Sequence, residues 1–170
     1  MNQVLSISAK ALTRLAFMPF GDVIEVDQER AMTINDGQAT RYHDLSRVDT
    51  GPDAGGYPLI NIFRAEPCSP PLTITMMENH PLGSQAFMPL SSKPYLVVVA
   101  PASSQLDVTD IKAFMAAPTQ GVNHHRGVWH HPLLALERNC DFLVVDRGGP
   151  GNNVIETTLD AGAVEVIVTI

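Results

Sequence analysis

The sequence predicts a mostly β protein, a sandwich, jelly roll or barrel carrying one or two short helices. Three observations point there. Thirteen prolines and twelve glycines cut the 170 residues into short apolar runs. Few segments are long and amphipathic enough for a helix. Strand-like runs bounded by Gly/Pro turns follow one another along the chain.

Taken in order, Ser8–Phe17 is the best helix. Ser8 caps it, Leu12, Leu15 and Ala16 form its apolar stripe, and Pro19 ends it. Strands are expected over Asp22–Val26, Met32–Asn35, Thr40–Leu45, Leu59–Glu66, Leu72–Asn79, Gln85–Pro89 and Pro94–Ala100. Further strands are expected over Trp129–Glu137, Asp141–Arg147, Asn153–Thr157 and Ala163–Ile170. Asp107–Asp110 reads as a helical turn, and Ile111–Ala116 fits helix or strand equally. Thr50–Gly56 reads as a flexible surface loop, because the strand pattern resumes directly after it. The alternating Val164, Val166, Val168 and Ile170 would pack on the core or on a partner.

Length, lack of internal repeats and lack of a linker predict a single domain over residues 1–170, long enough to bury a real core. A net charge of −7 argues against nucleic-acid binding and against a polybasic membrane-surface role. The longest apolar run, Tyr95 to Pro101, is too short to span a bilayer. Met1 to Lys10 shows no leader pattern. A soluble cytoplasmic protein is therefore expected. Cys68 and Cys140 have no metal-like spacing and read as reduced thiols.

Two polar clusters carry the chemistry. Four of the six histidines fall within His124–His131, beside the only tryptophan, Trp129. Upstream, Glu78, His80 and Gln85 interrupt an apolar stretch. On a strand Glu78 and His80 project together with Met76 and Ile74, so they enter the core if those residues do. A glutamate there is costly unless paired or metal-bound. Gln85, after the turn at Pro81–Gly83, could return to the same pocket. Only one of His130 and His131 can face inward, and periodicity does not choose between them.

The spacing resembles a degenerate cupin. Glu78-x-His80-(x)4-Gln85 is similar to the first cupin motif, H-x-H-(x)3-4-E, and Gly127-Val128-Trp129-His130 to the second, G-x-x-H. That resemblance implies a cupin-like double-stranded β-helix, or jelly-roll barrel, with Glu78, His80, Gln85 and His130 at the metal-ligand positions. Oxygen and nitrogen donors of this kind disfavour thiolate-loving metals.

A wider set of blocks is more specific. Phe20–Ile24, Arg41–Leu45, Phe63–Pro67, His80–Phe87, Gly121–Leu133 and Asp146–Gly149 resemble, in order, the ureidoglycolate lyase family, formerly called ureidoglycolate hydrolase. His124 stands where that family has tyrosine. The resemblance implies cleavage of (S)-ureidoglycolate to glyoxylate and urea in allantoin degradation, a homodimer, and a divalent metal, nickel in particular.

The chemistry of that substrate assigns roles. Elimination needs a base for the hydroxyl proton, an acid for the leaving nitrogen, and donors or a cation for the carboxylate and the developing carbonyl oxygen. His130 or His80 would be the base, with Glu78 as its orienting partner or a metal ligand. Gln85 would bond the ureido group. Arg64 or Arg126 would pin the carboxylate, because a guanidinium fork matches it. Glu66 shares a strand face with Arg64, and pairing between them would leave Arg126 for the carboxylate. His131 is assigned to substrate binding or to shaping an extended segment before Pro132. His43 and His124 read as structural, Trp129 as an anchor. Two other functions compete: amidohydrolysis of the same substrate with release of ammonia, and a non-catalytic cupin that senses a small carboxylate.

Overall fold

A computed structural model describes residues 3–160 and 163–170. In chain order the strands are β1 (Gln3–Ser8), β2 (Lys10–Ala11), then, after helix α1 (Arg14–Phe17), β3 (Gly21–Ile24), β4 (Ala31–Ile34), β5 (Ala39–Tyr42) and β6 (Tyr57–Ala65). They continue with β7 (Leu72–Ile74), β8 (Met76–Asn79), β9 (Gln85–Pro89), β10 (Tyr95–Ala100), β11 (Lys112–Ala116) and β12 (Gly121–His124). The last five are β13 (Trp129–His130), β14 (Leu134–Ala135), β15 (Cys140–Gly148), β16 (Ile155–Thr158) and β17 (Val164–Thr169).

Strand β10 sets the layering. Its residues Tyr95–Ala100 are all apolar and all buried, as a strand covered on both faces requires. Leu96, Val98 and Ala100 pack with Ile74, Met77, Trp129, Val166 and Val168. Tyr95, Val97 and Val99 pack instead with Phe87, Val122, Phe142 and Val144. A seven-stranded sheet, in the order β16-β8-β13-β10-β11-β2 with β14 also on β10, thus forms the middle layer. One face is covered by the three-stranded sheet β1-β17-β7 and the other by the five-stranded sheet β3-β12-β9-β15-β6. The space between the seven- and five-stranded sheets is the interior of a cupin-like barrel. Strands β4 and β5 form a separate hairpin.

Several expected elements change character. The helix expected over Ser8–Phe17 is confined to α1, capped by Thr13, whose Oγ1 accepts from Ala16 N. Residues 3–8 are extended because β17 pairs with them in parallel, and Leu15 is exposed while Leu12 and Phe17 are buried. The run Leu72–Asn79 divides at Thr75, whose carbonyl accepts from Leu159 N, and its halves join different sheets. Trp129–Glu137 likewise breaks at Pro132, a residue with no amide hydrogen for a ladder. Ile111–Ala116 resolves to strand β11, and Asp107 caps the expected turn at Val108–Asp110. The loop at Thr50–Gly56 is held: Arg147 donates to Thr50 O, Ala54 O and Pro150 O. The sequence pattern predicts none of the strands β1, β2 and β12.

Candidate functional site

The split at Thr75 determines which residues reach the barrel interior. Met77 joins the outer cluster beneath the three-stranded sheet, so its neighbour Glu78 turns the other way, into the barrel. Trp129 likewise faces the outer cluster, anchored by its indole N–H on Ser103, and this sends His130 inward. The ladder then sets His130 directly opposite Glu78. His80 follows the end of β8. The turn after it returns the chain into β9 at Gln85, which lies opposite His124 of β12. The inward choice between His130 and His131 is therefore decided by the tryptophan before them.

The protonation pattern follows from the partners. His80 Nδ1 lies 2.7 Å from Asn153 O, and His130 Nδ1 lies 3.1 Å from Val128 O. Carbonyl oxygens only accept, so both Nδ1 atoms carry hydrogen and a neutral ring leaves its lone pair on Nε2. Those lone pairs converge on one carboxylate: Glu78 Oε1 is 3.4 Å from His130 Nε2 and 3.9 Å from His80 Nε2. Gln85 Oε1 is 3.1 Å from His80 Nε2. His130 Nε2 is buried without a hydrogen-bond partner. Lone pairs turned towards carboxylate and amide oxygens call for a proton or a cation between them.

A divalent cation fits this arrangement. Donor atoms of Glu78, His80 and His130 lie within 4.8 Å of one another. Each imidazole donates its other N–H to a backbone carbonyl, the outer bond that orients metal-ligating histidines. A hydrogen bond from His130, made when its Nε2 carries a proton, holds the Glu78 carboxyl below the usual value, overcoming the opposing effect of burial. The acid is thus ionised at neutral pH.

A cleft of about 470 Å³ opens beside Glu78 and Gln85, walled by Phe63, Arg64, Ala65, Phe87, Pro132 and Leu133. That volume suits a small molecule. Arg64 stands on this wall with its guanidinium bonded at both ends to Asp141, at 2.7 and 2.8 Å. Its partner is Asp141, not Glu66. Arg126 is paired with Asp49 at 2.7 Å and is not among the residues lining the cleft. His131 turns aside, with Nδ1 2.8 Å from Pro132 O, and burial keeps its pKa below the usual histidine value.

The sequence reading passed over His124 as structural. Its ring stacks on His130 with centroids 4.5 Å apart and planes within 5°, and Phe17 and Phe87 flank it. Complete burial holds its pKa well below the usual range, so this ring is neutral. The signal was its strand partner: a histidine opposite Gln85 shares the barrel with it, but β12 had to be recognised first. Asn153 was also missed. Besides fixing His80, it accepts Leu82 N on its Oδ1, tying the turn between His80 and Gln85 to the segment leading into β16.

Comparison with known proteins places this geometry in context. The family described as Ureidoglycolate lyase matches residues 4–166. A ureidoglycolate lyase of Burkholderia mallei (strain NCTC 10229) is 53% identical over 154 residues, covering 91% of this chain and 89% of that protein. One of Pseudomonas syringae pv. tomato is 51% identical over 152 residues, 89% of this chain and 88% of the relative. One of Pseudomonas putida (strain W619) is 49% identical over 151 residues, 89% and 90% of the two chains.

Proposed function

The chain belongs to the ureidoglycolate lyase family, and we propose that it cleaves (S)-ureidoglycolate to glyoxylate and urea by base-assisted elimination. One observation carries this reading: the carboxylate that two imidazole lone pairs face opens onto a small cleft whose other polar side chains are the Gln85 amide and the Arg64 guanidinium.

In the reaction the substrate O–H bond breaks and its electron pair becomes the carbonyl bond of glyoxylate. The C–N bond breaks with it, and the leaving ureido nitrogen takes a proton. His130 Nε2 accepts the hydroxyl proton, and ionised Glu78, 3.4 Å away, balances the imidazolium. The same proton then passes to the nitrogen, so the cycle is neutral overall. Asn153 O fixes the His80 ring, and Gln85, whose Oε1 lies 3.1 Å from His80 Nε2, would bond the ureido group through its amide. Arg64 leaves Asp141 to clamp the substrate carboxylate; exposed ion pairs of this kind are weak enough to exchange partners. Arg126 is the second candidate for that clamp, and His131 borders the site without touching the reacting atoms.

As an alternative to that base role, Glu78, His80 and His130, with Gln85 as a fourth donor, would hold a divalent ion, nickel by resemblance to the family; the His130 lone pair would then ligate the ion and would not serve as the base. Such an ion, when bound, supplies Lewis-acid stabilisation of negative charge on oxygen. The protein would act as a homodimer in the cytoplasm, in allantoin breakdown, with no nucleic-acid or membrane partner. No helix among the described residues is long and apolar enough to cross a membrane.

Purified protein incubated with racemic ureidoglycolate tests the reading, with chelator and added-nickel arms. Urea and glyoxylate in equal amounts above the spontaneous background are expected. Ammonia in place of urea would make the protein an amidohydrolase. No enzyme-dependent product in any arm would leave a carboxylate-binding protein.

A further inference from the structure

One acid on the barrel wall has no part in the chemistry above. Phe142 and Val144 of β15 pack in the barrel core, so strand alternation turns Asp146 to the same interior face. Its neighbour Arg147 points the other way and donates to Thr50 O and Ala54 O. Asp146 is half-buried and pairs with no cation among the described residues. Its partner there is the Asn61 amide, whose Nδ2 donates to Oδ1 at 3.0 Å. The second carboxylate oxygen is open. A carboxylate in such a wall, without a counter-charge, needs N–H or O–H donors.

The register brings this acid to the cleft. Val145 lies opposite Ala86, and the same register continued one step sets Asp146 beside Gln85. Asn61 lies opposite Val144, which lies opposite Phe87. Gln85 and Phe87 both line the cleft. Asp146 therefore stands at its edge, one strand away from the amide that would bond the ureido group.

We infer that Asp146, held by Asn61, binds the substrate by accepting hydrogen bonds from the terminal nitrogen of its ureido group, an inference that rests on the proposed function. A ureido end is neutral, with N–H donors at that nitrogen and an acceptor at its carbonyl. The Gln85 amide donates to the carbonyl and Asp146 accepts from the nitrogen, so both kinds of group are met. A charged acceptor makes the stronger hydrogen bond. Charge also fixes direction. The other end of the substrate is a carboxylate, which Asp146 repels and Arg64, three residues beyond Asn61 on β6, attracts. A molecule this small could otherwise enter either way round, and the like charge disfavours the reversed pose. The terminal nitrogen lies beyond the carbonyl from the C–N bond that breaks. Its contact is therefore much the same in bound substrate and transition state.

Two unreactive ligands test the subsite. Ureidoacetate keeps the carboxylate and the ureido group but lacks the hydroxyl that elimination needs. Glycolate keeps the carboxylate and hydroxyl and lacks the ureido group. In calorimetric titration, Asp146→Ala should bind ureidoacetate about 10–100-fold more weakly than the unaltered protein, with glycolate affinity maintained. Asp146→Asn keeps an acceptor oxygen and should lose only part of that affinity. With ureidoglycolate the loss should fall on KM more than on kcat. Equal losses for both ligands would make Asp146 a structural residue and overturn the inference. So would an unaltered protein that does not bind ureidoacetate, or an Asp146→Ala variant that binds it as well as the unaltered protein does. If the alanine variant does not fold, Asp146→Asn and Asn61→Ala decide by the same comparison of ligands. Because these titrations need no turnover, they separate the two readings. Binding of ureidoacetate through Asp146 without cleavage of ureidoglycolate would remove the lyase and keep the ureido subsite.

Discussion

The two faces of the seven-stranded sheet make opposite use of neighbouring residues. Met77 and Trp129 enter a dry compartment beneath the three-stranded sheet, with Leu96, Val98 and Val166. Glu78 and His130, one residue further along each strand, enter the barrel and meet His80 and Gln85. The separation is only the thickness of one sheet. The dry side locates the reactive side, because alternation turns each buried apolar anchor into an aiming device for the residue beside it.

The sharpest way to break this comparison is to alter one residue on each face. Glu78→Gln removes the negative charge that the two lone pairs face. Product formation should fall about 10²–10⁴-fold, while the thermal transition moves little. Full turnover in both Glu78→Gln and His130→Ala would remove the site from the cleft. Met77→Ala should do the reverse: a loss of about 2–5 kcal/mol of stability in urea denaturation, with kcat of the folded fraction preserved. A large drop in kcat there would mean the two compartments are not separable.

The smallest effect concerns acid. His124 is neutral in the folded barrel because burial lowers its pKa, whereas an unfolded histidine binds a proton below about pH 6.5. Between those two values the unfolded chain holds more protons, so stability is full above pH 6.5 and declines as pH falls. The slope approaches ~1.4 kcal/mol per pH unit for one group. Glu78, with its pKa lowered, adds a second loss below its ordinary value of 4.5. Equilibrium denaturation of chelator-treated protein between pH 7 and 5 should show the first slope, and His124→Phe should flatten it. An equal slope in that variant would assign it elsewhere, with half-buried His131 next to test.

Much of this was legible beforehand. The β class and the strands expected over Gln85–Pro89 and Pro94–Ala100 followed from local pattern, and the gathering of Glu78, His80, Gln85 and His130 from the resemblance to a cupin. Misreadings arose where a distant partner overrode local preference. The stripe of Leu12, Leu15 and Ala16 suggests a helix from Ser8, yet β17 and β11 take Ser8, Lys10 and Ala11 into strands. Ile74 suggested the wrong reference face for Glu78, because the break at Thr75 resets the alternation. The arginines misled for a similar reason: Asp141 lies 77 residues from Arg64 along the chain, so their ion pair leaves no local trace.

The parallel pairing of Gln3–Ser8 with Val164–Thr169 has a consequence for how the molecule is made. The layer that seals the dry compartment joins strands from opposite ends of the described chain. It cannot assemble during synthesis until residue 169 has left the ribosome. Until then Leu96, Val98 and Trp129 present an apolar face to water, and so long a loop must close before its contacts reward it. Closure of this layer should therefore be slow and late, with the apolar face of the middle sheet exposed until β17 arrives.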